Sequence, residues 1–427
     1  MTAISVSERL LEMAAFYTPL ALTVTLKEKP IAILGAGGVG KPIAGDSAIA
    51  GARVRLWDAP GFAERTLANI EKWGIRVEGP QLNMYSYMRT GVGYPELVSD
   101  DMGKVVKGAG IIIVAVVAGA HKKVFETLIP LLEDGQVIHL IPDNFGTLLL
   151  RKMMIEAGCD KKVIIGSWAT SPYGCRIVTE GGFVTNICDI RNRVIMLRGA
   201  ALPQTDTADF IESAKLIPAF DLITNGLGYQ AGDTVLDTCF SNANPVIHVP
   251  GTILGVSTLQ NFDTVLGNKM GNFSMYAHCL CPAIGTVAAN FWHEEENIAA
   301  AMNVGIAPVR ADEYMSRSTM YGHEYMGPNY EVPFDQEIPH KYGDGPFSLE
   351  NRYVTEDVPI GCYMYQQLAR KYGVPTPTID SLVHLANVMM GRDLTAKGYT
   401  LDYVGIGHMT HEQLQAWLRE GIYTPAT

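Results

Sequence analysis

An α/β fold, with an N-terminal doubly wound parallel sheet followed by a mainly α-helical domain, is what this chain of 427 residues predicts. Three observations carry that expectation. A β-branched apolar run, Ile31 to Leu34, passes directly into glycines spaced G-x-G-x-x-G at Gly35, Gly37 and Gly40. Short apolar runs then alternate with amphipathic stretches to about residue 222, the pattern of strands joined by crossover helices. From Thr234 onward, longer amphipathic segments replace the alternation.

The elements follow in order. In Gly35-Ala36-Gly37-Gly38-Val39-Gly40, Gly35 permits a tight strand-to-helix turn and Gly37 lets backbone approach a pyrophosphate. Gly40 lets the next helix pack close to the strand. Such a turn opens a Rossmann dinucleotide-binding domain, and Gly38 and Val39 belong to its cofactor-binding backbone. A helix over 42–50 and a strand over 53–57 come next, the strand ending in Asp58, about 20 residues beyond the first glycine. A carboxylate there accepts hydrogen bonds from ribose hydroxyls and repels a 2′-phosphate, so NAD (as NADH) is expected and NADP is the lesser candidate. Arg53, Arg55 and Arg65 lie nearby and would be the phosphate ligands if NADP were used instead.

Beyond Asp58 the pattern gives a helix over 63–73, a strand around Ile75 to Val77 and a helix over 100–107. Ile111 to Val117 is apolar throughout and bounded by Gly110 and Gly119, which fits a strand buried on both faces of a parallel sheet. A helix over 121–132 and a strand over 136–141 continue the alternation. Strands over 162–165, 186–189 and 193–197 are expected to extend the same sheet. Ligands of such sheets lie beyond the carboxyl ends of the strands, so the loops 117–120 and 142–146, with Ala118 and Asn144, should border the nicotinamide. The boundary is placed near residue 230: residues 1–28 form an N-terminal extension, 29–230 the dinucleotide-binding domain and 231–427 the helical domain, with helices over 277–303, 363–372 and 380–390.

Hydrophobic content of 48% and charged content of 18% are those of a globular protein with ample core. A net charge of −11 argues against nucleic acid, whose recognition draws on a basic surface. The apolar segment 10–26 is interrupted by Glu12 and Pro19, so neither a secretory signal nor a membrane span is expected. Seven scattered cysteines suit a reducing, cytoplasmic setting, and Cys279 and Cys281 lack a second pair, so no metal is expected.

Among ten histidines, His248 is distinguished by its surroundings, Ser241-Asn242-Ala243-Asn244-Pro245-Val246-Ile247-His248-Val249-Pro250, just past the boundary. An imidazole there suits proton transfer in carbonyl chemistry. Leu349 to Pro359 forms a second cluster, mixing Arg352, able to clamp a carboxylate, with acids able to orient an imidazole. On residue pattern alone, a packed histidine and a solvated charged loop remain the competing readings.

The glycine turn, the N-P-x-x-H segment at Asn244 to His248 and the N-R-Y-x-x-E-D-V segment at Asn351 to Val358 together resemble the opine dehydrogenase family, of the octopine, nopaline and N-(carboxyethyl)norvaline kind. The similarity runs from about Ile31 to Gly421, including Lys371 to Asp380, but residues 1–28 and Ala307 to Gly345 find no counterpart. The resemblance implies an oxidoreductase joining an amino acid to a 2-oxo acid such as pyruvate, and oxidising the product in reverse, with NADH or NADPH. It also implies that His248 and Asp357 form an acid/base pair and that Arg352 binds substrate carboxylate. Arg176 and Asn244 are the further candidate substrate-binding residues, and a homodimer is the assembly considered. Two other readings stay open: a 2-oxo acid or ketopantoate-type carbonyl reductase, and a non-catalytic protein that binds a nucleotide.

Overall fold

The computed structural model describes residues 26–426 apart from 80–81, 84–85, 88, 195, 222–227 and 309–344. Nearly all of the N-terminal extension and most of the divergent stretch therefore lie outside the described residues. The strands are β1 (Ile31–Leu34), β2 (Val54–Trp57), β3 (Ile75–Glu78), β4 (Leu82–Asn83), β5 (Ser86–Tyr87), β6 (Gly91–Gly93), β7 (Leu97–Ser99), β8 (Ile111–Val114), β9 (Val137–Leu140), β10 (Ile164–Trp168), β11 (Tyr173–Glu180), β12 (Phe183–Arg193), β13 (Met196–Ala201) and β14 (Gly228–Ala231).

Eight of them form one sheet in the order β14-β13-β10-β9-β8-β1-β2-β7, and every neighbouring pair is parallel except β10 with β13. The central strands β1, β8 and β9 are buried at every residue, as helices on both faces require. Those helices include α1 (Gly40–Ile49), α2 (His121–Leu128), α3 (Gly146–Glu156) and α4 (Thr207–Ala214). Strand order reverses at β1 and β8, because the chain leaves β1 toward β2 and later returns to β8 on the other side. The crevice between their carboxyl ends is where open α/β sheets bind ligands.

The predicted doubly wound sheet is present, but three expected details differ. Residues 75–77 and 186–189 do not join it: β3 and β12 belong to a second sheet, ordered β11-β12-β3-β6. Residues 193–197 are not one strand, since Arg193 ends β12 and Met196 begins β13 in the other sheet. The helix expected over 63–73 is broken into Ala63–Thr66 and Ile70–Trp73, with Asn69 between them in the left-handed region at φ 60°, which asparagine tolerates. The second sheet packs on α1 through Gly45, where an added Cβ would lie 2.7 Å from a methyl of Ile75. Its β11–β12 hairpin turns on Gly181 and Gly182, both at positive φ, the geometry of a two-residue I′ turn.

After β14 the described chain is helical: α5 (Val235–Phe240), α6 (Ala243–Leu254), α7 (Pro282–Ala301), α8 (Arg352–Thr355), α9 (Tyr363–Tyr372), α10 (Pro377–Met390) and α11 (His411–Glu420), with short turns between. Helix α6 packs against α7, α8 and α10 and carries nine buried residues in succession, Pro245 to Ile253. No helix among the described residues is long and apolar enough to cross a membrane.

Candidate active site

The glycine turn has the geometry its spacing anticipates. Gly35 sits at φ +110°, and a Cβ there would strike the Ala115 carbonyl oxygen at 2.5 Å; one on Gly40 would lie 1.9 Å from the Gly35 oxygen. At Gly37 nothing lies within 4 Å, which leaves the room a phosphate-bearing ligand needs beside the N-terminus of α1. Asp58, at the end of β2, accepts from the Ala59 N–H at 2.8 Å and the Thr66 hydroxyl at 2.6 Å, and lies 3.4 Å from the Ala36 N–H within the turn. Arg53 and Arg55 are both paired with Glu96, at 2.8 and 2.6 Å, while Arg65 is exposed. The residues present fit a dinucleotide.

Helix α6 presents His248. Its N-cap is Asn242, whose side chain accepts from the Asn244 N–H, and Pro245 is tolerated because first-turn N–H groups lack helical partners in any case. The partner arrives from far along the chain. After α8, capped by Asn351, residues Asp357–Cys362 form a wide π turn, and Gly361 lets that turn press onto Pro245, where a Cβ would lie 2.7 Å from the ring. This approach sets Asp357 Oδ2 at 2.7 Å from His248 Nδ1, although the two are 109 positions apart.

The other ring nitrogen, Nε2, lies 2.7 Å from the Tyr276 hydroxyl. Tyr353 stacks flat on the imidazole, with centroids 3.6 Å apart and planes within 9°. Both imidazole and carboxylate are buried, each side chain 5% exposed. Burial pushes the His248 pKa below its ordinary value, outweighing the hydrogen bond and charge of Asp357 that raise it; the guanidiniums of Arg352 and Arg176 lower it further.

These groups open on a cleft of about 380 Å³ between the hairpin and α6. Six predicted residues line it together: Gly38, Val39, Arg176, Asn244, His248 and Arg352. Sequence reasoning missed Tyr276, Tyr353 and Arg191, which line it too. Nothing in the sequence near Tyr276 pairs it with His248. The hairpin bearing Arg176 and Arg191, by contrast, was signalled by Gly181-Gly182 between two strand-like runs.

Ala118 and Asn144 are not among the lining residues. The N–H of Ala118 donates to Glu356 Oε1 at 2.9 Å, and its carbonyl accepts from the Tyr399 hydroxyl at 2.5 Å. Asn144 accepts from the Asn242 amide at 2.9 Å. Both therefore tie strand-end loops of the sheet to the helical region. Glu356, one residue before Asp357, is buried, which raises its carboxyl pKa, while Arg352 at 3.7 Å opposes the rise.

Against known proteins, residues 231–390 match the family model described as the alpha-helical domain of NAD/NADP octopine/nopaline dehydrogenase. An opine dehydrogenase of Arthrobacter sp. (strain 1C) is 28% identical over 393 residues, which span 90% of this chain and 97% of that one. Vitopine synthase of Allorhizobium ampelinum is 24% identical over 88% of this chain and 95% of its own. Among solved structures, octopine dehydrogenase with NADH and L-arginine superposes with a TM-score of 0.66 at 18% identity, covering 93% of this chain and 100% of that one. A yersinopine dehydrogenase with NADP+ bound gives 0.60 at 13%, covering 90% and 94%. Residues 231–390 thus match the alpha-helical domain of the octopine/nopaline dehydrogenase family model, and the chain is similar over most of its length to opine dehydrogenases, NAD-dependent oxidoreductases that act on CH–NH donors.

Proposed function

We propose that the protein condenses an amino acid with a 2-oxo acid such as pyruvate, reductively and with NADH, and oxidises the resulting secondary amine in reverse. Residues 29–230 would bind the dinucleotide, and residues 231–427 would supply most of the groups that act on substrate. The observation that carries this reading is the buried His248–Asp357 contact of 2.7 Å, facing a cleft that also holds Arg352 and the dinucleotide turn. The dinucleotide, when bound at Gly35 to Gly40, supplies the hydride.

The chain's own residues handle carboxylate and proton. Arg352 anchors the oxo acid's carboxylate, an anion its planar fork can grip with two hydrogen bonds. With the imidazole neutral, Nδ1–H donates to Asp357 and Nε2 accepts from the Tyr276 hydroxyl. Protonation at Nε2 reverses the second bond: the ring then donates to the Tyr276 oxygen, and the phenol's own proton turns toward the cleft. That proton serves the oxygen that must leave as water when the amine condenses with the carbonyl. Asp357 holds the tautomer and stabilises the imidazolium through the cycle.

An assay of NADH absorbance with pyruvate alone, amino acids alone and then both tests the reading. NADH loss should require both; equal loss with the oxo acid alone would indicate a carbonyl reductase, and binding without turnover a non-catalytic role. Tyr276→Phe keeps the ring and removes the hydroxyl, so kcat should fall by about 10²-fold, the lower range of general acid/base contributions, with NADH binding unchanged. A near-normal kcat would leave His248 as the group that meets substrate directly.

Cofactor choice rests on Asp58. Its carboxylate is held at the end of β2 by Thr66 and Ala59, and Glu96 engages two of the three nearby arginines. NADH should therefore be preferred over NADPH, and Asp58→Ala should weaken NADH by roughly tenfold, the scale of a hydrogen bond to a charged group. Better use of NADPH by the unaltered protein would instead assign the phosphate to Arg65.

A further inference from the structure

Three guanidinium groups, those of Arg176, Arg191 and Arg352, line the cleft, and no aspartate or glutamate does so among the described residues. Arg352 is one anion site. The other two arginines lie apart from it, on the β11–β12 hairpin. Arg176 is paired in register with Asp189, and Arg191 is the extra residue of the bulge where β12 passes from Ile190 to Asn192; Arg176 and Arg191 both line the cleft. Asp189 Oδ2 meets Arg191 Nη2 at 2.7 Å. Arg191 Nε is buried without a hydrogen-bond partner, so this pair leaves the fork partly unused. Glu78, in register with Asp189 on β3, is matched by its own ion pair with Arg76, so Asp189 is the carboxylate left to the two hairpin guanidiniums and the net charge there stays positive.

We propose that this cluster, Arg176 and Arg191 around Asp189, is a second anion subsite, which takes the α-carboxylate of the amino acid. The cleft then selects amino acids whose side chains carry no positive charge. The inference rests on the reading that this cleft joins an amino acid to a 2-oxo acid. A product of that reaction bears two carboxylates, one from each substrate, and the cleft offers an arginine site for each. A lysine- or arginine-type side chain would find no carboxylate among the described lining residues and would lie beside guanidiniums, a like-charge contact that acts as selection against it. A neutral or acidic side chain meets no such repulsion.

The test is a donor panel at fixed pyruvate and NADH, comparing alanine, norvaline, glutamine and glutamate with lysine and arginine. Neutral or acidic donors should exceed the cationic ones in kcat/KM by roughly tenfold or more, the scale of one like-charge contact at a partly screened site. Arg191→Gln and Arg176→Gln should each raise KM for the amino acid by about tenfold while KM for pyruvate and NADH binding hold. Arg191→Lys, which keeps the charge, should recover part of the loss. Asp189→Asn, which removes the compensating carboxylate, should lower KM for glutamate. Turnover that favours lysine or arginine overturns the inference and leaves the proposed reaction standing. Unchanged amino-acid KM in both glutamine variants overturns it likewise. NADH loss that needs no amino acid removes the reaction itself, and the inference with it.

Discussion

His248→Ala and Asp357→Asn are each expected to lower kcat by roughly 10²- to 10⁴-fold, the range that positioned acid/base groups supply. The double variant should lose little beyond the worse single one, because a ring and the carboxylate that orients it act as one unit. NADH binding should survive in all three, since neither residue belongs to the glycine turn or to Asp58. Additive losses, or near-normal turnover by His248→Ala, would return the pair to a packing role. Burial also sets the direction of the pH dependence. Because His248 titrates below its usual value of about 6.5, the neutral ring persists to lower pH than an exposed imidazole would. In the amine-oxidising direction, where the neutral ring accepts a proton, the acid-side fall in rate should be centred at lower pH than for an exposed imidazole. Asp357 raises the His248 pKa, so Asp357→Asn should move that acid limb further down.

Arg352→Lys should weaken use of the oxo acid by roughly 10- to 100-fold, corresponding to about 1.5–3 kcal/mol for hydrogen bonds to a charged group. The ammonium keeps the charge but not the planar fork. The side chain is 44% exposed toward the cleft and sits 3.7 Å from Glu356, which itself hydrogen-bonds the Ala118 N–H. A replacement at 352 could therefore shift Glu356 and loosen the loop after β8, and thermal unfolding of the variant, measured beside its kinetics, separates that effect from lost carboxylate binding. If KM for the oxo acid stays near normal in a stable Arg352→Lys protein, the anchor passes to Arg176.

Local signals made much of the nucleotide-binding half legible. The glycines needed at 35, 37 and 40 follow from sterics within a few residues, and the apolar run expected as a strand over Ile111 to Val117 is one over Ile111–Val114, while Val117 lies beyond it and is exposed. Helix α9 matches its periodicity at both ends, and α7 and α10 fall within a few residues of the expected spans. The second sheet was not legible as a unit. Residues 75–77 read correctly as a strand, but whether they pair with β1 or with β12 depends on a partner more than a hundred residues away, and no local pattern encodes that choice. Only the hairpin turn at Gly181-Gly182 left a short-range trace.

At the site, the sequence by itself determined which chemistry is present: a glycine turn, an acid after the second strand, one histidine in an apolar segment, and an arginine and aspartate in a short polar cluster. The tertiary structure decided their meeting. His248 and Asp357 approach because a helix tolerates Pro245 in its first turn and a π turn carries a bare Gly361 against it, a contact between segments that share no local periodicity. Tyr276 reaches Nε2 only once the chain after α6 folds back beside it, and Arg176 and Arg191 line the cleft because a hairpin attached to α1 projects there rather than extending the main sheet. Local sterics and periodicity act over a few residues and can be read along the chain, whereas packing complementarity between distant surfaces exists only after the chain has folded.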